Sequence, residues 1–192
     1  IILEHGKLLM RASSQEAVDY YLSHDYEKGG ERRWKPSEIE ADAKPFRPVA
    51  MRVLNHHKQV TDSIRSIDPM YIEVEYELDA PITGLRVGIY LMSMRGEFVF
   101  TSFDTDDPEQ YNRLTMRKAG RYISRVRIPA DMLNEGRFVI GMNASVFRVK
   151  RYFQDANAVV FNVNPAGAPG MQWAESRQGV TRPRLDWQIE EK

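Results

Sequence analysis

Carboxylates come first among the residues whose types and spacing can do chemistry. The stretch "FDTDDPEQY" sets Asp104, Asp106 and Asp107 in a loop just after an alternating segment. Such a cluster can ligate calcium or, as a carboxyl pair about 5–9.5 Å apart, run glycoside hydrolysis. The loop lacks the glycine and terminal glutamate of an EF-hand, and a solvated turn closed by Pro108 accounts for it equally. Glu73, Glu75 and Glu77, at every second position, are the other carboxylates that an acid and base could come from. His56 and His57 are adjacent on an expected strand, which sends them to opposite faces and makes joint metal ligation awkward. The chain has no G-x-x-x-x-G-K-[ST], no G-x-G-x-x-G and no H-E-x-x-H, so the common phosphate, dinucleotide and zinc signatures are missing. No catalytic residue and no metal ligand is assigned.

A different chemistry suits the residues expected on outward faces. Gly88, Tyr90 and Met92 alternate with an apolar set, as do Gly141, Asn143 and Ser145. Together they make a shallow polar surface with an aromatic ring. A pyranose offers an apolar face to such a ring and hydroxyls to amide, hydroxyl or guanidinium groups. Glycines beside the ring would let a ligand reach the backbone. The candidate carbohydrate-binding set is therefore Arg86, Tyr90, Met92, Thr101, Asn143 and Ser145, with Asp104, Arg148 and Tyr152 behind it; an amphipathic sheet without a ligand is the competing explanation. Arg148 and Tyr152 come from "SVFRVKRYFQDAN" (145–157), where Phe147, Lys150, Arg151 and Phe153 also interleave basic and aromatic character. That pattern could stack nucleobases, hold an acidic sugar, or pack as a loop over the end of a sandwich. Arg113, Arg117, Arg121 and Arg125 make an acidic terminal group a further option, with solvation as the plain alternative.

These residues need elements to hold them. Period-2 segments recur at 49–55, 70–78, 85–93, 97–103, 121–128, 137–146 and 158–163. Short strands at regular spacing, with turn residues between them and no long helical pattern, imply a mainly β protein, an antiparallel β-sandwich. Met70, Ile72, Val74, Tyr76 and Leu78 share an inward face, so Glu73, Glu75 and Glu77 should be solvated. "PADMLNEG" (129–136) is expected to hold one helical turn. Ahead of the sandwich, 1–12 reads as a tight hairpin around His5-Gly6-Lys7, and Ser13 with Glu16 is a capping-box start for a helix whose stripe is Ala17, Val18, Tyr21 and Leu22. Residues 25–48 are rich in charge, glycine and proline and read as a linker. Trp173 and Trp187 in the last segment should dock on this domain or on a neighbouring subunit.

Composition narrows the partners. Lys+Arg and Asp+Glu are 27 each in 192 residues, which gives no bulk field for nucleic acid or an anionic membrane. With no cysteine there is no disulfide framework and no thiolate. Apolar runs such as "FVIGM" fall far short of the roughly 20 residues that span a bilayer, so the expectation is a cytosolic, soluble protein.

Three stretches carry a family resemblance. "IILEHGKLLMRASSQEAVDYYL" resembles the closing stretch of the ATPase domain in ABC transporters that export O-antigen or related polysaccharides. "AGRYISRVRIPADMLNEGRFVIGMNASV" is similar to that family's G-Y, I-P, L-N-x-G segment, here Gly120, Tyr122, Ile128, Pro129, Leu133, Asn134, Gly136 and Phe138. "GVTRPRLDW" resembles its final motif. The resemblance implies a Wzt-type carbohydrate-binding domain with an Ig-like or jelly-roll sandwich over 49–192, a linker at 25–48, and the end of an ATPase domain at 1–24. It also implies recognition of the non-reducing end of a lipid-linked polysaccharide, a homodimer with possible exchange of the C-terminal strand, a membrane-embedded permease as partner, and a place in the cytoplasm at the inner membrane. ATP and Mg would belong to the ATPase domain, so no cofactor is expected in these residues, and no nucleic acid. A glycan-active enzyme and a ligand-free dimerisation module are the alternatives.

Overall fold

The computed structural model describes residues 2–4, 7–11, 29–168 and 177–191. Its thirteen strands are β1 (Ile2–Glu4), β2 (Lys7–Met10), β3 (Glu31–Arg33), β4 (Phe46–Leu54), β5 (Ser63–Arg65), β6 (Met70–Leu78), β7 (Ile82–Thr83), β8 (Leu85–Ser93), β9 (Phe98–Phe103), β10 (Met116–Arg117), β11 (Gly120–Ile128), β12 (Gly136–Val146) and β13 (Lys150–Asn164). One short helix, α1 (Pro108–Arg113), follows β9.

Alternation of apolar and polar residues dictates two facing sheets. One has the order β11-β6-β4-β3, the other β5-β13-β12-β8-β9, and all pairings within them are antiparallel except that of β5 with β13. Between them lies a core of Met51, Val53, Ile72, Val74, Leu85, Val87, Ile89, Leu91, Ile140, Met142 and Phe161. All seven expected strands are present, and the mainly β, antiparallel sandwich stands. β1 and β2 pair as a hairpin through Glu4 and Lys7; the helix expected from Ser13 lies outside the described residues.

The differences have physical causes. The supposed linker contributes an edge strand, because Glu31–Arg33 pairs with Ala50–Arg52. Trp34 is buried, donating from Nε1 to Asp155 at 2.9 Å and meeting Phe153 edge-on at 5.3 Å. Phe46 stacks on Tyr76 at 5.2 Å. The sandwich thus begins near Glu31, and high local charge hid two core anchors, Trp34 and Phe46. Residues 129–136 form a turn rather than a helical turn. Buried Asn134 donates from Nδ2 to the carbonyls of Arg177 and Gly179 at 2.6 and 2.8 Å, pinning the 177–182 segment. His56 and His57 sit in a turn capped by Asn55, their rings 3.9 Å apart instead of on opposite faces. The Trp187 side chain is 85% exposed rather than docked on this chain; Trp173 lies outside the described residues.

The glutamates of β6 are not solvated either. Arg52 donates from Nε to Glu31 at 2.6 Å, from Nη1 to Glu73 at 2.8 Å and from Nη2 to Glu75 at 2.8 Å. Arg125 reaches Glu73 and Arg121 reaches Glu75 from the neighbouring strand, and Arg47 pairs with Glu77. Glu73 and Glu75 are buried beneath these arginines. Burial pushes the Glu75 carboxyl up, but hydrogen bonds from Arg52 and Arg121 outweigh it and hold the group below its ordinary value. A carboxylate depressed in the folded state adds stability at neutral pH that is lost as pH falls through its ordinary range and on through its lowered value. The urea midpoint should therefore hold steady above that range and fall below 4.5, with a shallower acid limb in Glu75→Gln.

Candidate functional site

Strands β9, β8 and β12 set outward residues in rows. Thr101 pairs with Tyr90, which pairs with Gly141; Phe103 pairs with Gly88, which pairs with Asn143; Arg86 pairs with Ser145. Each glycine faces an aromatic residue directly across the ladder, and the ring lies down over it. A Cβ built on Gly88 would stand 2.4 Å from the Phe103 ring, and one on Gly141 2.4 Å from the Tyr90 ring. The glycines therefore make room for rings and do not open the backbone to a ligand.

The rings form the floor of a cavity of about 530 Å³ bordered by Arg86, Tyr90, Thr101, Phe103, Asn143 and Ser145 and by the tip of the β12–β13 hairpin, residues 146–151. Arg86 is its centre. Its guanidinium carbon lies 4.3 Å from the Phe103 ring centroid and 4.8 Å from that of Phe147, and Nε donates to Ser145 Oγ at 3.3 Å. Ser145 Oγ in turn donates to Asn143 Oδ1 at 2.9 Å. Phe147 is 60% exposed at the tip, with the Arg86 and Arg148 guanidinium carbons 4.8 and 5.1 Å from its ring centroid. Beside it Arg148 has φ 57°, the left-handed region that costs a non-glycine residue energy.

Of the residues expected from sequence, Arg86, Tyr90, Thr101, Asn143, Ser145 and Arg148 border this cavity. Tyr90 is part of the floor rather than an exposed platform. It is 9% exposed, its hydroxyl donates to the Met142 carbonyl at 3.1 Å, and burial pushes the phenol pKa up. Met92 lies outside the cavity, packed with Tyr90, Val139 and Val160 on the same sheet face. Tyr152 lines a separate cavity of about 540 Å³ with Glu38, Glu40 and Asp42. Phe103 was missed, although it stands two residues beyond Thr101 in β9 and so shares its sheet face.

Asp104 is elsewhere too, spent on structure. It forms a two-pronged pair with Arg117 at 2.8 and 2.9 Å, accepts from Ser124 Oγ at 2.7 Å and from Val87 N at 3.0 Å. Burial lowers the Arg117 pKa, but Asp104 and Tyr76 outweigh it and keep the guanidinium above its ordinary value. Asp106 accepts from Phe103 N at 2.8 Å, and Asp107 caps α1 by accepting from the backbone of Glu109 and Gln110. The loop carboxylates and those of β6 are thus engaged by protein donors. Arg117, Arg121 and Arg125 are likewise paired with carboxylates of this chain. Among the described residues no three His, Asp or Glu side chains converge as metal ligands, and no helix is long and apolar enough to cross a membrane.

Comparison with known proteins agrees with this architecture. The profile of the Wzt C-terminal domain matches residues 47–174. A crystal structure of the C-terminal domain of wzt superimposes with a TM-score of 0.64 over 86% of this chain and 91% of that one. At 10% identity that likeness speaks for the fold alone. No curated protein matches the chain. A profile match across two thirds of the residues, on a sandwich of the same build, means that the chain belongs to the Wzt C-terminal domain family.

Proposed function

We propose that this chain is a non-catalytic module that binds an O-antigen-type, lipid-linked polysaccharide, at its non-reducing end, and so gives an ABC exporter its substrate specificity. Family membership supports the general role, carbohydrate binding within such an exporter. The observation that carries the site is the cavity where a half-buried guanidinium, an exposed ring and an amide–hydroxyl pair converge. In this reading residues 1–24 belong to the end of an ATPase domain, which would bind ATP and Mg, and a permease subunit holds the assembly at the cytoplasmic side of the inner membrane. Calorimetric titration with purified O-antigen-type polysaccharides tests it. Saturable binding is expected, with Phe147→Ala weaker by about two- to tenfold. Arg148→Gly should also bind more weakly yet be as stable as the parent or more so by up to ~1 kcal/mol, since glycine relaxes the left-handed turn. Flat titrations would sink the glycan reading, and release of free sugar would restore the enzymatic one.

A homodimer belongs to the same proposal. Leu185, Trp187 and Ile189 alternate along an exposed segment outside the strands, which suits addition of a strand to a second copy. Sedimentation should then show a dimer that Trp187→Ala weakens; a monomer at all concentrations would refute it.

A further inference from the structure

The chain carries equal numbers of basic and acidic residues, and several of them are matched in pairs at the four-stranded sheet. On the β11-β6-β4 face Arg47, Arg52, Arg121 and Arg125 each have a glutamate, and in the sandwich edge Arg117 has Asp104. The cavity beside Arg86 gathers basic residues without such partners. Arg86, Arg148, Lys150 and Arg151 all border it, no Asp or Glu does, and none of the four makes an ion pair with a described residue. Arg148 and Lys150 instead rest on the rings of Phe147 and Tyr152, at 5.1 and 4.7 Å.

Arg86 sharpens the case. Two rings, Phe103 and Phe147, stand within 4.8 Å of its guanidinium carbon, and only Nε–H has a protein acceptor. Four N–H donors in the plane of a rigid fork are left without a protein partner. A half-buried cation without a counter-ion is costly, and a guanidinium held flat is well set to receive an oxyanion in two parallel hydrogen bonds. Hydroxyls of a neutral sugar would leave the charge uncompensated. We infer that the group this cavity reads is an oxyanion carried on the sugar, a phosphate, sulfate or carboxylate, held by Arg86 with Arg148, Lys150 and Arg151 around it. The inference rests on the glycan reading above and names the chemistry of the terminus.

The test is NMR titration of the purified chain with four probes: glucose 6-phosphate, methyl glucuronide, neutral methyl glucoside and inorganic phosphate. Both anionic sugars should shift the Ser145, Phe147 and Arg148 amides with at least about tenfold tighter dissociation constants than methyl glucoside, and the gap should shrink with added salt. Arg86→Gln should reduce that preference to within about twofold. If Arg86→Gln does not fold, Lys150→Gln with Arg151→Gln serves, with the same loss expected. Equal binding of neutral and anionic sugars at these amides would overturn the anion while leaving the glycan reading in place. Inorganic phosphate matching glucose 6-phosphate would overturn the sugar as the carrier. Silence at these amides with all four probes, or shifts only with vesicles containing anionic phosphatidylglycerol, would count against both.

Discussion

Replacing Asp104 with alanine should remove about 3–5 kcal/mol of stability, the cost of leaving a buried charge without its partner. The Arg117 side chain has no exposed surface, and its guanidinium depends on Asp104 and the Tyr76 hydroxyl alone, while Nε has no partner at all. Alanine at 104 also deprives Val87 N and Ser124 Oγ of their acceptor. A single domain typically holds only about 5–15 kcal/mol in total, so a large fall in the urea midpoint is expected. By contrast, Arg121→Ala should cost about 0–1 kcal/mol, because its own side chain is 59% exposed and Arg52 still donates to the Glu75 carboxylate. The decisive control is the double variant Asp104→Ala, Arg117→Met, which removes both charges and should recover most of the loss. If the double variant is no more stable than Asp104→Ala, the ion pair is not the source of the effect.

Asp104 also illustrates how much the sequence discloses and where it stops. Alternation made β4, β6, β8, β9, β11 and β12 legible, because each has one face in the core, and the outward set followed from the same count. That count places Arg86, Asn143 and Ser145 on the cavity's sheet face. It could not tell that the acidic loop folds back onto Arg117, a pairing between residues 13 positions apart whose partners sit on different elements. Nor could it find β3, where Glu31, Arg32 and Arg33 read as solvated charge although the strand is held by backbone bonds to β4 and by the Arg52–Glu31 pair. Tyr152 lines a separate cavity for a related reason. β13 begins at Lys150, eight residues before its apolar run, and its pairing with β12 shifts register near Ser145. One extra residue in a strand exchanges its faces.

The glycines on the sheet face mark the same limit and lead to the second large effect. Read in sequence, Gly88 and Gly141 invite a ligand toward the backbone; in the sheet they are the cross-strand partners of Phe103 and Tyr90, and the rings occupy the space. Gly141→Ala should cost about 1–3 kcal/mol, the usual range for overpacking. The ring alone could tilt away, but the Ala156 carbonyl oxygen stands 2.6 Å from the new Cβ and belongs to the backbone of β13. Removing the ring with Tyr90→Leu should therefore rescue Gly141→Ala only in part. Gly88→Ala carries an additional consequence for binding. It would displace Phe103, the ring under the Arg86 guanidinium, so glycan affinity should fall even at temperatures where the variant remains folded. A double-mutant cycle between Gly141→Ala and Tyr90→Leu, read by urea unfolding, should give a coupling of about 0.5–3 kcal/mol. Full additivity, with Gly141→Ala as stable as the parent chain, would mean that the ring does not lie on the glycine and that the floor of the cavity is built some other way.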